Sequence, residues 1–166
     1  MYPLIPQQKT QFLPKMIFFV QAAIFVNYGM IGKVKSIFYA DDDENDHFFM
    51  RHTIEELFPH VEFKSFYYCE KLLDYLKDER NALPDIIFLD QNLPGMSGTE
   101  CLRIIKASAS WRHIPVIIYS TGASEKDKVD AKRFGAYKYL IKPGSFNEIR
   151  SLLSGVILEL SAQEQP

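Results

Sequence analysis

Ile86, Ile87, Phe88 and Leu89 form an unbroken apolar run behind Pro84, and the run stops at Asp90. A run this short, β-branched at its start and with no polar face, predicts a strand buried on both sides. A carboxylate at the end of such a strand is delivered to the rim of a sheet, where open α/β folds put their ligands. Residues 91–98 contain Pro94, Gly95 and Gly98, so they read as a loop returning to a helix that begins near Thr99.

The pattern recurs. Residues 36–40 (SIFYA) predict a buried strand that ends in Asp41, Asp42, Asp43 and Glu44. Pro115 introduces 116–119, a third doubly buried run, followed by Ser120, Thr121 and Gly122. Residues 137–141 predict the last strand, followed by Lys142 and Pro143. Residues 61–66 alternate polar and apolar side chains and predict a less buried strand. Helical periodicity fills the intervals. Phe48, Phe49, Thr53, Ile54 and Leu57 outline the first helix and Pro59 closes it. Leu72, Leu73 and Leu76 mark the second, and Leu102, Ile104 and Ile105 the third. Residues 125–134 form a polar, weakly amphipathic fourth helix stopped by Gly135, and 146–160 a strongly amphipathic fifth. Strand and helix alternate five times with short connections. That predicts an α/β, doubly wound parallel sheet covered on both faces.

In such a sheet all strand C-termini share one edge. Asp41 and Asp42, Asp90, Ser120 and Lys142 each follow a different predicted strand. Singly each is ordinary: an acidic cluster is a solvated helix start, a lone Asp a turn former, a lone Lys surface. An acid pair, an acid, a hydroxyl and an amine at four strand mouths are harder to dismiss. Three carboxylates brought together repel unless a cation joins them, and hard oxygen ligands with room for water and phosphate suit Mg²⁺. Asp90 needs no general base, since a carboxylate with a reference pKa of about 3.9 is already ionised at neutral pH. Lys142 offers a compact positive charge to phosphoryl oxygens, and Ser120 a hydrogen bond. The acids Asp43, Glu44 and Asp46 read as helix N-terminal charge.

On these motifs, IFYADDD, PDIIFLDQNLPGMSG, IPVIIYSTG and GAYKYLIKP in that order, the stretch from about 34 to 160 resembles the receiver domains of two-component response regulators. The resemblance implies a five-stranded, flavodoxin-like (CheY-like) sheet of strand order 2-1-3-4-5, in a single-domain protein without an output domain. It implies Asp90 as phosphoacceptor. It implies a Mg²⁺ site made by Asp42 directly, Asp41 through water, Asp90, and the backbone carbonyl of Asn92. Ser120 takes the place of the switch hydroxyl, Lys142 that of the phosphate-contacting lysine, and Tyr139 the aromatic switch position. The Lys142–Pro143 bond is expected to be cis. Thr121 stands where the family usually has Ala or Gly, and its bulk bears on the inward swing of Tyr139. Gly122 offers no side chain at a position that influences phosphoryl lifetime. Implied partners are a histidine kinase or histidine phosphotransfer protein, an unidentified downstream protein, and a second copy of the chain. An enzyme in the ordinary sense is not expected, since the domain would catalyse only its own phosphorylation and dephosphorylation. Two alternatives compete with this reading. A Mg²⁺-dependent phosphohydrolase working through an aspartyl-phosphate usually has its nucleophile in an Asp-x-Asp context after the first strand, followed by Thr or Val. Here Glu44 follows the three acids. A receiver that only binds partners is disfavoured because every site position holds a workable residue.

Composition sets the remaining bounds. The 166 residues suffice for one domain with a sizeable core. A net charge of -2, with no basic run, argues against a nucleic-acid partner. Cys69 and Cys101 have neither metal spacing nor a disulfide framework, and His47, His52, His60 and His113 are scattered. Residues 1–33 form an apolar extension and 161–166 a polar tail. Residues 16–31 are nearly all apolar but short of the roughly 20 that span a membrane. The first reading is a true translation start at Met30. An anchor to the inner face of the membrane comes second, and an export signal last, because the chemistry above needs a cytosolic phosphodonor. The expected location is therefore cytoplasmic, with a membrane contact only if residues 16–31 are a real anchor.

Overall fold

The apolar runs do become the strands. In a computed structural model, residues 34–122 and 124–163 are described, so the readings of 1–33 fall outside them. The elements in order are β1 (Ser36–Ala40), α1 (Glu44–Leu57), β2 (Glu62–Phe66), α2 (Cys69–Lys77), β3 (Ile86–Leu89), α3 (Gly98–Ala107), β4 (Val116–Ser120), α4 (Glu125–Arg133), β5 (Lys138–Ile141) and α5 (Phe146–Gln163). The sheet is five-stranded, in the order β2-β1-β3-β4-β5, and every pairing is parallel. This is the flavodoxin-like topology of the receiver fold.

The period of two in each central strand divides the core in half. Ile37, Tyr39, Phe88, Ile117 and Tyr119 face Met50 and Ile54 of α1 and Leu153 and Ile157 of α5. Phe38, Ala40, Ile87, Leu89 and Ile118 face Leu72 of α2, Leu102 and Ile105 of α3 and Ala131 of α4. All residues of β3 and β4 are buried, whereas the edge strands β2 and β5 are only partly so. Burying an Ile, Leu or Phe side chain is worth roughly 1.5–3 kcal/mol. The two-sided burial of the central strands therefore fixes which residues reach the rim.

Three expectations are corrected. The inward face of α1 is His47, Met50, Thr53 and Ile54, not the Phe48–Phe49 stripe. Phe48 is 63% exposed, and it stacks on His52 while Phe49 packs on Phe146. The last helix continues to Gln163, because Ser161 is buried and its hydroxyl donates to the Ile157 carbonyl one turn back. The Lys142–Pro143 peptide bond is trans. Trans is favoured by roughly 0.5–1 kcal/mol for an X–Pro amide, and the Lys142 side chain reaches its partners from that geometry.

No helix among the described residues is long and apolar enough to cross a membrane.

Candidate phosphoacceptor site

The β1, β3 and β5 ends converge as their parallel register requires. The Asp90 N–H donates to the Ala40 carbonyl at 2.8 Å, and the Lys142 N–H to the Ser120 carbonyl at 2.8 Å. These backbone bonds lock the strand ends side by side, so their next side chains share one space. Lys142 Nζ lies 2.6 Å from Asp41 Oδ2, 2.7 Å from Asp46 Oδ2 and 2.9 Å from Asp90 Oδ1. The lysine side chain is 8% exposed, those of Asp41 and Asp90 1% and 5%, and that of Asp46 31%.

Burial alone would drive the Lys142 ammonium toward neutrality. Its hydrogen bonds to Asp41, Asp46 and Asp90 and their charges outweigh that, so its pKa is raised. Three carboxylates against one ammonium leave an excess of negative charge, which suits an incoming cation.

Asp41 is the most constrained member. The Tyr39 hydroxyl donates to its Oδ2, and the Asp43 N–H donates to Oδ1 at 3.0 Å. Burial, followed by the Asp41 charge, pushes the Tyr39 phenol far above its ordinary pKa, so it remains a proton donor. Burial also raises the Tyr119 phenol, to about 12. Asp90 Oδ2 accepts the Asn92 N–H, which fixes the carboxylate against the loop that follows.

The remaining predicted residues are more dispersed. Asp42 and Asn92 are exposed on their loops, as are Thr121 and Gly122. Ser120 is fully buried, and its Oγ has no hydrogen-bond partner among the described residues. An unpaired buried hydroxyl costs about 1–3 kcal/mol. The Tyr139 ring is half-buried, and its hydroxyl donates to the Gly122 carbonyl at 2.9 Å. A side chain at residue 122 would meet nothing within 4 Å, so the loop is open there.

Besides the Tyr39 hydroxyl, sequence reasoning missed two participants in the first turn of α1. Asp46 read as helix-terminal charge, yet it is a full partner of Lys142. His47 is buried, and its Nε2–H donates to the Asp41 carbonyl at 2.6 Å. Its ring lies 4.4 Å from that of Tyr67, centroid to centroid. The available signal for both was their place in the first turn of α1, directly after the acidic strand end.

Among the described residues no group of three or more His, Cys, Asp or Glu is placed to hold a metal ion. The donor chemistry of Asp41, Asp42 and Asp90 nonetheless fits a hard divalent cation. In this arrangement the Lys142 ammonium stands among the carboxylates as their counter-charge.

The response regulator receiver domain family matches residues 37–154. The chain belongs to this family. A relative in Klebsiella pneumoniae, the phosphate regulon transcriptional regulatory protein PhoB, is 36% identical over 78 residues, covering 47% of this chain and 34% of that one. Protein PilH of Pseudomonas aeruginosa is 36% identical over 78 residues, covering 47% of this chain and 64% of that one. This receiver thus spans less than two thirds of the length of these curated relatives. Among solved structures, the phosphorylated cyanobacterial phytochrome response regulator RcpA has a TM-score of 0.72 at 24% identity, covering 80% of this chain and 97% of that one. The Mn²⁺-bound form of response regulator Rcp1 has a TM-score of 0.68 at 23% identity, covering 74% of this chain and 91% of that one. At these identities the two structures speak to the fold of the receiver alone.

Proposed function

We propose that this receiver accepts a phosphoryl group on Asp90, from a histidine kinase or histidine phosphotransfer protein, and that Mg²⁺ is its cofactor. The observation that carries the reading is the Lys142 ammonium 2.9 Å from Asp90 Oδ1, at the mouth of a strand buried on both faces. A carboxylate held this way is oriented and lies beside a positive charge that phosphoryl oxygens can use. The Ser120 hydroxyl makes no well-formed hydrogen bond, and a phosphoryl oxygen would give it one. Asp41, Asp42, Asp90 and the Asn92 carbonyl are the residues that would hold the metal. When bound, Mg²⁺ supplies charge neutralisation for the oxygens of the transferring group.

The output is a change of shape. Lys142 and Ser120 turn toward the new oxygens, and Tyr139, whose hydroxyl now lies beside Ser120 and donates to the Gly122 carbonyl, turns further inward. The surface made by α4, β5 and α5 then presents differently to a downstream protein or a second copy of this chain. Thr121 and Gly122 modulate how readily this happens. Inverting a 1:99 population takes about 5.5 kcal/mol of differential contact, so several such contacts must act together. A donor of this kind places the receiver in the cytoplasm.

The test is direct. Incubated with a small acyl-phosphate donor and Mg²⁺, the full chain gains the mass of one phosphoryl group, and Asp90→Asn gains none. An Asp90→Asn protein that takes up phosphate as readily as the parent overturns the assignment.

A further inference from the structure

Lys142 has three N–H bonds, and each has a carboxylate acceptor from a different part of the chain. Asp41 follows β1, Asp90 follows β3, and Asp46 lies in the first turn of α1. A phosphoryl group on Asp90 brings roughly 1.5–2 negative charges and strong acceptor oxygens. The N–H now aimed at Asp90 can pass to a phosphoryl oxygen, and any further N–H the group draws from Lys142 must come from Asp41 or Asp46.

The surroundings decide which one. Asp41 is almost wholly buried, and releasing the ammonium would leave its carboxylate without a counter-charge where water cannot reach, with only the Tyr39 hydroxyl and the Asp43 N–H as donors. Asp90 carries the phosphoryl group itself. Asp46 is 31% exposed, so water can replace the ammonium there at little cost.

We propose that Asp46 is a positioning residue that holds the Lys142 ammonium in reserve in the resting protein and is the acceptor exchanged when Asp90 carries a phosphoryl group. The inference rests on the phosphoacceptor reading of Asp90. Asp46 then opposes the phosphorylated state twice, by competing for an N–H and by repelling the added charge. The same charge favours the arrival of a divalent cation. Removing it should therefore move two affinities in opposite directions, which a merely structural role would not do. General loosening of α1 would weaken both.

The experiment uses the full chain and beryllofluoride as a non-covalent phosphoryl mimic. Its binding at saturating Mg²⁺ is followed by fluorine NMR, and Mg²⁺ binding alone by calorimetry, in the wild type, Asp46→Asn, Asp46→Ala, Asp46→Glu and Asp90→Asn. Asp46→Asn and Asp46→Ala should bind the mimic about three- to tenfold more tightly, as expected for a lost, partly exposed charge pair, and bind Mg²⁺ more weakly. Asp46→Glu should return both affinities toward the wild type. Mimic affinity that is unchanged or weaker in both neutral variants overturns the proposal. If the wild type binds the mimic and Asp90→Asn does not, that failure belongs to Asp46 alone. If the wild type does not bind it, the phosphoacceptor reading falls as well.

Discussion

Lys142→Met will lower stability by about 3–5 kcal/mol, the range for removing one partner of a buried ion pair, and will abolish phosphoryl uptake. The stem of Met fills much of the same space, so packing is nearly conserved and the loss is electrostatic. Asp41 and Asp90 are left facing each other with their common counter-charge gone, and neither can be solvated. Against a typical total of about 5–15 kcal/mol, this is a large fraction of what holds a domain of this size together. Thermal melting of the two proteins side by side gives the number. The pH dependence has a definite sign. Because the folded pKa of Lys142 is raised, its contribution is present below the unfolded value of about 10.5 and is lost as pH climbs through the higher folded value. The gap between wild type and variant therefore holds through the neutral range and narrows only above about pH 10.5. Millimolar Mg²⁺ should raise the melting temperature of the variant, because a bound cation replaces part of the missing charge. An unaltered melting temperature at neutral pH would show that Lys142 is dispensable to the resting site.

That cluster also marks the limit of what could be read from the chain. Ile86–Leu89 and Val116–Ser120 were legible because a strand buried on both faces leaves no polar residue until it reaches the rim. The position of Asp90 and Lys142 at one edge followed from parallel pairing alone. Asp46 was illegible because a helix-terminal acid has an adequate local explanation. Only the fold shows that it touches a lysine 96 residues further along the chain. Phe48 and Phe49 misled for a related reason. Apolar periodicity predicts a buried face, but two aromatics can satisfy each other and a neighbouring ring at the surface, as they do with His52 and Phe146. In the sequence, the polar Ser161 reads as the end of α5 after Leu160. A buried serine that bonds to its own helix, one turn back, does not end it. Tyr39 reads in the sequence as one more residue of an apolar strand, whereas in the fold its hydroxyl holds Asp41.

Gly98→Ala will cost about 2–3 kcal/mol and slow phosphorylation of Asp90, although helix propensity argues for the opposite sign. Gly98 opens α3 behind a capping box, in which the Glu100 N–H donates to Ser97 Oγ and the Ser97 N–H to the Glu100 carboxylate. In a helix, alanine is favoured over glycine by up to about 1 kcal/mol. Here a Cβ would sit 2.2 Å from the Asp90 carbonyl oxygen and 3.2 Å from Gln91 Cα. Both neighbours are backbone, so no side chain can swing aside, and the strand end or the helix must move. The Gly98 N–H also donates to the Gln91 carbonyl at 3.1 Å, which ties the two segments at the point of contact. Displacing the Asp90 carbonyl displaces the carboxylate of the same residue, together with the Asn92 N–H that orients it. Gly155→Ala is the matching control. It lies within α5, a Cβ there meets nothing within 4 Å, and alanine should add about 0.5–1 kcal/mol with no effect on phosphorylation. If both substitutions stabilise the protein equally, close approach is not why a glycine follows Ser97, and the α3 entrance does not set the geometry of Asp90.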